Sequence, residues 1–146
     1  FQAFLWCGDG VTLAYCTGKN IRRRFPKSVG GRVHAYNNYI DGWLDGAIEE
    51  AKDGGQLLSE YSIWGNGGTT TIGVTSNGKL NSSNHKLVGK KALKFKTDKL
   101  DDKFVAAARG CANITKPTSD AQWNALLSRL QKECGPTLAN PARVMA

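Results

Sequence analysis

The chain has 146 residues, 40% hydrophobic and 22% charged, which suits one domain with a packed core and excludes wholesale disorder. Its formal charge is +8, which favours anionic targets: a cell wall, a membrane surface, a host receptor or RNA. No apolar run within it nears the roughly 18 residues of a membrane-spanning helix, so no transmembrane segment is expected in this sequence.

The sequence begins Phe1-Gln2-Ala3-Phe4 without Met, as after removal of a signal segment. It holds four cysteines in none of the usual zinc spacings. Together these predict a secreted, extracellular, monomeric chain with disulfides and without metal or cofactor. Asn81 and Asn113 head two glycosylation sequons.

In chain order, Leu5, Val11, Leu13 and Tyr15 flank a Gly8-Asp9-Gly10 turn and read as an extended arm. Residues 17–33 read as a long basic loop. Ile40, Trp43, Leu44, Ala47, Ile48 and Ala51 follow helical spacing, so a helix over 38–52 is predicted, capped by Asn37 or Asn38 and ended by Gly54-Gly55. Alternation over 57–64 predicts a strand, Gly65-Asn66-Gly67-Gly68 a turn, and Thr69 to Thr75 a returning strand. Asn77-Gly78 marks another turn, 79–89 a polar loop and 91–96 a strand. Helices follow over 100–112 and 120–133, the second capped by Thr118 or Ser119, and the tail 136–146 is expected to be extended. No internal repeat is visible. The order predicts a single α+β domain over 1–146: a small antiparallel sheet of three or more strands packed by the amphipathic helix and two C-terminal helices.

If the last two helices run antiparallel, Cys111 and Cys134 stand roughly 20 Å apart, beyond the roughly 7 Å that a disulfide tolerates. Cys7 and Cys16 are then each expected to bond one of these two C-terminal cysteines.

The common catalytic signatures are missing, which leaves a scattered set. His34, Glu60 and His85 offer acid–base groups. Arg22, Arg23 and Arg24 form one candidate binding patch; Lys90, Lys91, Lys94 and Lys96 form a second. Trp6, Trp43, Trp64 and Trp123 suggest a carbohydrate-binding module, with Trp6 and Trp64 as the platforms off the core stripes.

Size, charge, cysteines and element order resemble the small secreted killer toxins and host-directed effectors of fungi. That resemblance implies a non-enzymatic protein that binds a cell surface. The segment His34-Ala35-Tyr36-Asn37-Asn38-Tyr39 resembles a short motif of the secreted fungal guanyl-specific ribonucleases. The alternative it implies is an endoribonuclease with His34, Glu60 and His85 catalytic and Tyr36, Asn37, Asn38 and Tyr39 holding the base.

Overall fold

Val11, Val33, Leu57 and Leu80 stand 22 to 24 residues apart in the sequence and side by side in space. That spacing is one turn of a parallel β-solenoid. The computed structural model describes residues 4–133. Its first coil is β1 (Leu5–Trp6), β2 (Val11–Ala14) and β3 (Thr17–Ile21). The second is β4 (Lys27–Val29), β5 (Arg32–Tyr36) and β6 (Tyr39–Trp43), and the third is β7 (Glu50–Lys52), β8 (Gln56–Glu60) and β9 (Ile63–Gly65). After a short β10 (Thr71–Ile72) the fourth coil is β11 (Val74–Ser76), β12 (Lys79–Ser83) and β13 (Lys86–Leu87). Equivalent strands stack into three parallel sheets, β1-β4-β7-β11, β2-β5-β8-β12 and β3-β6-β9-β13. Strand β14 (Lys94–Phe95) pairs with β10, and the segment that follows bonds the end of the solenoid, with the Ser82 amide donating to the Lys96 carbonyl. This covers an edge that would otherwise present unpaired backbone groups.

The repeat stays hidden because only inward positions need to be apolar. Val33, Leu57, Leu80, Ile48, Ala51 and Trp64 are wholly buried in one core. Two corners recur in every coil. Between the first and second sheets the chain turns through left-handed residues, Gly10, Gly30, Asp53 with Gly54, and Asn77. Gly31 belongs to this corner because a Cβ there would lie 2.0 Å from the Gly8 carbonyl oxygen. Between the second and third sheets Tyr15, Asn37, Tyr61 and Asn84 are left-handed. The residues after them, Cys16, Asn38, Ser62 and His85, form a ladder. The Cys16 amide donates to Asn38 Oδ1 (2.9 Å), the Asn38 amide to Ser62 Oγ (3.0 Å) and the Ser62 amide to His85 Nδ1 (3.1 Å). Each side chain closes the backbone group that a sharp corner strands.

Two helices lie outside the solenoid. α1 (Asp102–Arg109) is capped by Asp101, and α2 (Asp120–Glu133) is opened by Ser119, whose Oγ accepts the Gln122 amide. α1 lies against the second sheet, where the Asp101 amide donates to Gln56 and Arg109 meets Glu60. Leu126 and Leu130 of α2 pack on Tyr39 and Ile63 of the third sheet.

This architecture replaces the α+β antiparallel sheet that the sequence suggested. Residues 38–52 form β6, a 3-10 turn at Gly46–Ile48 and β7. The helical spacing arose because Ile40, Trp43, Ile48 and Ala51 enter the core from successive segments, while Leu44 is 65% exposed. Residues 17–33 hold β3, β4 and the start of β5 rather than a loop, and 79–89 hold β12 and β13. The two C-terminal helices were correctly placed but cover different sheets, so the hairpin behind the cysteine argument does not form. Cys7 and Cys111 are unbridged thiols, which removes the expected cross-pairing. Cys134 and the tail from Pro136 lie outside the described residues.

Candidate functional site

On the second sheet the outward positions of neighbouring strands bring His34 of β5 and Glu60 of β8 together, 26 residues apart in the chain. His34 Nε2 is 3.1 Å from Glu60 Oε1, and Arg109 Nε at the end of α1 donates to Glu60 Oε2 at 3.1 Å. Glu60 is wholly buried and His34 nearly so. Burial pushes the Glu60 carboxyl up, but the His34 hydrogen bond and the Arg109 charge outweigh it and hold the group below its usual value. The Tyr36 ring packs on His34 at 4.7 Å, and its hydroxyl meets Cys111 Sγ at 3.5 Å. Burial first, then this thiol, raises the Tyr36 hydroxyl to about 12. A groove of about 370 Å³ between Leu58, Asn81, Val105 and Arg109 borders the cluster. The helix roofs it, so this arrangement ties α1 to the solenoid.

His85 does not join that cluster. Its Nδ1 accepts the Ser62 amide, so the neutral ring carries its proton on Nε2, 2.8 Å from Ser82 Oγ. Ser82 in turn donates to Glu49 Oε1 at 2.6 Å. The result is a polar chain from Ser62 through the half-buried His85 to the buried Ser82 and Glu49. Burial lowers the His85 ring to about 3 and raises the Glu49 carboxyl to about 7, the latter against hydrogen bonds from Ser59 and Ser82.

The remaining residues of the ribonuclease-like segment serve the corner. Asn37 Nδ2 donates to the Tyr61 and Thr115 carbonyls, Asn38 Nδ2 donates to the Leu13 carbonyl, and Tyr39 packs under α2. Trp64 is fully buried instead of forming an exposed platform.

The first sheet is the one neither helix packs against. Its outward row runs Leu5, Lys27, Glu50 and Val74, with Leu5 and Val74 exposed at either end. Lys27 Nζ and Glu50 Oε1 are 2.7 Å apart in the middle, their side chains 8% and 14% exposed. Glu50 is the only carboxylate on the four strands of this sheet. Lys52 lies on the next outward row. At the entry to β4, Arg24 is left-handed with φ 63, and its buried Nε has no acceptor among the described residues. Its neighbour Arg23 pairs with Asp45 at 3.3 Å, and Arg22 is exposed. Of the second basic patch, Lys90 and Lys91 rim a separate cavity, Lys94 lies on β14 and Lys96 pairs with Asp98. Of the residues the sequence reading missed, Lys27 and Glu50 become visible only once the coils are aligned at 22 to 24 residues, Glu49 through its bond from Ser82 of the next coil, and Arg109 only once α1 docks on the second sheet.

A four-coil parallel β-solenoid with a charge-bearing sheet face on which neither helix packs is the class that fold and site define. A model of the pectate lyase family matches residues 7–111, more than two thirds of the chain and every solenoid strand from β2 onward, and the chain belongs to that family. No curated protein and no solved structure matches it. Family and fold together overturn the toxin, effector and ribonuclease readings.

Proposed function

We propose that this chain is a secreted enzyme that cleaves an anionic polysaccharide of the polyuronate type by β-elimination on the outer face of the first sheet. The observation that carries this reading is the Lys27–Glu50 pair at 2.7 Å on that face. Elimination needs a base for the proton α to the uronate carboxylate, an acid for the departing oxygen and cations beside the carboxylate. Glu50 takes the C5 proton, the electron pair forms the C4–C5 double bond, and the C4–O bond breaks. Lys27 gives a proton to the leaving oxygen, and the proton on Glu50 then crosses to Lys27 to reset the pair. Arg24 and Lys52 face the substrate carboxylates.

A hard cation bridging uronate to protein takes about six to eight oxygen ligands. Among the described residues no group of three or more His, Cys, Asp or Glu converges, and this face holds Glu50 alone. These residues do not fit a resident ion, so the step is written on side chains.

The test is ultraviolet absorbance of the unsaturated product from polygalacturonate, with a neutral galactan as control. Product that disappears in Glu50→Gln supports the reading. A well-folded protein that yields no unsaturated product, or a fully active Glu50→Gln, overturns it.

A further inference from the structure

The chain carries two Asn-x-Ser/Thr triplets, Asn81-Ser82-Ser83 and Asn113-Ile114-Thr115, and the fold treats them in opposite ways. Asn81 lies half-buried on β12. Its Nδ2 donates to the Asp98 carbonyl at 3.0 Å, its Oδ1 accepts from Ser83 Oγ at 3.1 Å, and its backbone bridges Thr97. A bulky group on that nitrogen would displace the segment that closes the end of the solenoid.

Asn113 stands in the turn between α1 and α2, over the corner of the second and third sheets. The backbone there is spent inward. The Tyr15 hydroxyl donates to the Asn113 carbonyl and lies 2.8 Å from Thr115 Oγ1. Asn37 Oδ1 accepts the Thr115 amide at 2.7 Å, and Asn37 Nδ2 donates to the Thr115 carbonyl, also at 2.7 Å. The Asn113 backbone amide donates to the Cys111 sulfur. Ile114 is half-buried, whereas Asn113 is exposed, and its side-chain amide makes no hydrogen bond among the described residues. A tethered turn that offers one unoccupied amide to water suits a bulky, solubilising substituent.

We infer that Asn113 is an attachment site for an N-linked oligosaccharide and that Asn81 stays bare. In the transfer, the bond between C1 of the first sugar and the oxygen of a lipid diphosphate breaks. C1 bonds to Asn113 Nδ2, and the proton that Nδ2 gives up ends on the departing diphosphate. A glycan added to Asn81 during synthesis would keep the end of the solenoid from closing, so folded protein carries none there. The acceptor corner lies across the three-sided solenoid from the first sheet, and a glycan on it leaves the Lys27–Glu50 face open. The inference rests on the proposed secretion of the chain and not on its elimination chemistry.

The full chain is secreted from eukaryotic cells behind a cleavable leader. Its peptides are weighed before and after an amidase that removes N-linked glycans and leaves an aspartate in place of the modified Asn. Oligosaccharide mass on the peptide holding Asn113, lost on amidase treatment, together with an unmodified Asn81, is the expected result. Asn113→Gln and Thr115→Ala should each lose the whole glycan mass, the second because it removes the hydroxyl that completes the triplet. Native protein with a bare Asn113, whether secreted or retained in the cell, overturns the assignment. A glycan on Asn81 of the folded protein overturns the argument from the closed end. Glycosylated protein that yields no unsaturated uronate counts against the lyase reading alone, and active protein with a bare Asn113 counts against this one alone.

Discussion

Replacing Glu49 by Gln removes a carboxyl that the solenoid keeps wholly buried at the end of the Ser62–His85–Ser82 chain. Burial raises that carboxyl from 4.5 to about 7. In the unfolded chain it releases its proton near 4.5, whereas in the folded protein it holds the proton to about 7. Its contribution to stability is therefore present in full below pH 4.5 and is lost as pH climbs through 7. At about 1.4 kcal/mol per pH unit the loss is about 3 kcal/mol. His85 acts in the opposite sense. Its ring is depressed to about 3, so its contribution is present above pH 6.5 and is lost as pH falls towards 3. The two slopes oppose one another between pH 4.5 and 6.5 in the native protein, which masks both. Glu49→Gln keeps an acceptor for Ser82 and deletes one slope. Measured by urea unfolding at pH 4.5 and pH 8, the variant should gain about 3 kcal/mol relative to the native protein on going to the higher pH. A difference between the two proteins that stays constant within about 1 kcal/mol across that range would refute the reasoning, because the buried carboxyl would then be as easily ionised as an exposed one.

Further outcomes follow from the other sites. Glu50→Gln should lower elimination by about 10² to 10⁴-fold, the range for loss of a general base, and should also lower the unfolding midpoint because it strips the charge partner from the nearly buried Lys27. Asn38→Ala strands the Cys16 amide and the Leu13 carbonyl at a buried corner and should cost about 2 to 4 kcal/mol in chemical denaturation. Arg109→Ala removes one partner of the buried Glu60; because the guanidinium side chain is 45% exposed, about 1 to 2 kcal/mol is expected, with faster amide exchange confined to α1.

How much was legible in the sequence differs by element. α1 and α2 were readable because the apolar spacing of both, and for α2 the capping residue Ser119, are local signals; the Asp101 cap of α1 emerged from the structure. The turn at Gly65–Gly68 and the left-handed Asn77 were readable for the same reason. The solenoid was not, since strands of two to five residues carry too few alternations to register, and their partners lie a whole coil away. His34 and Glu60 were picked out by residue type and do meet, but under a helix, and His85 was misplaced because its neighbours are Ser62 and Ser82 of adjacent coils.

By itself, then, the amino-acid sequence determined the basic charge, the C-terminal helices and the positions of the turns, all properties fixed by composition or by neighbours a few residues apart. Only the tertiary structure decided which residues share a face. Lys27 meets Glu50 and His34 meets Glu60 because each coil returns the chain to the same side after 22 to 24 residues. Parallel strand pairing sets that register between distant segments, and no local preference encodes it.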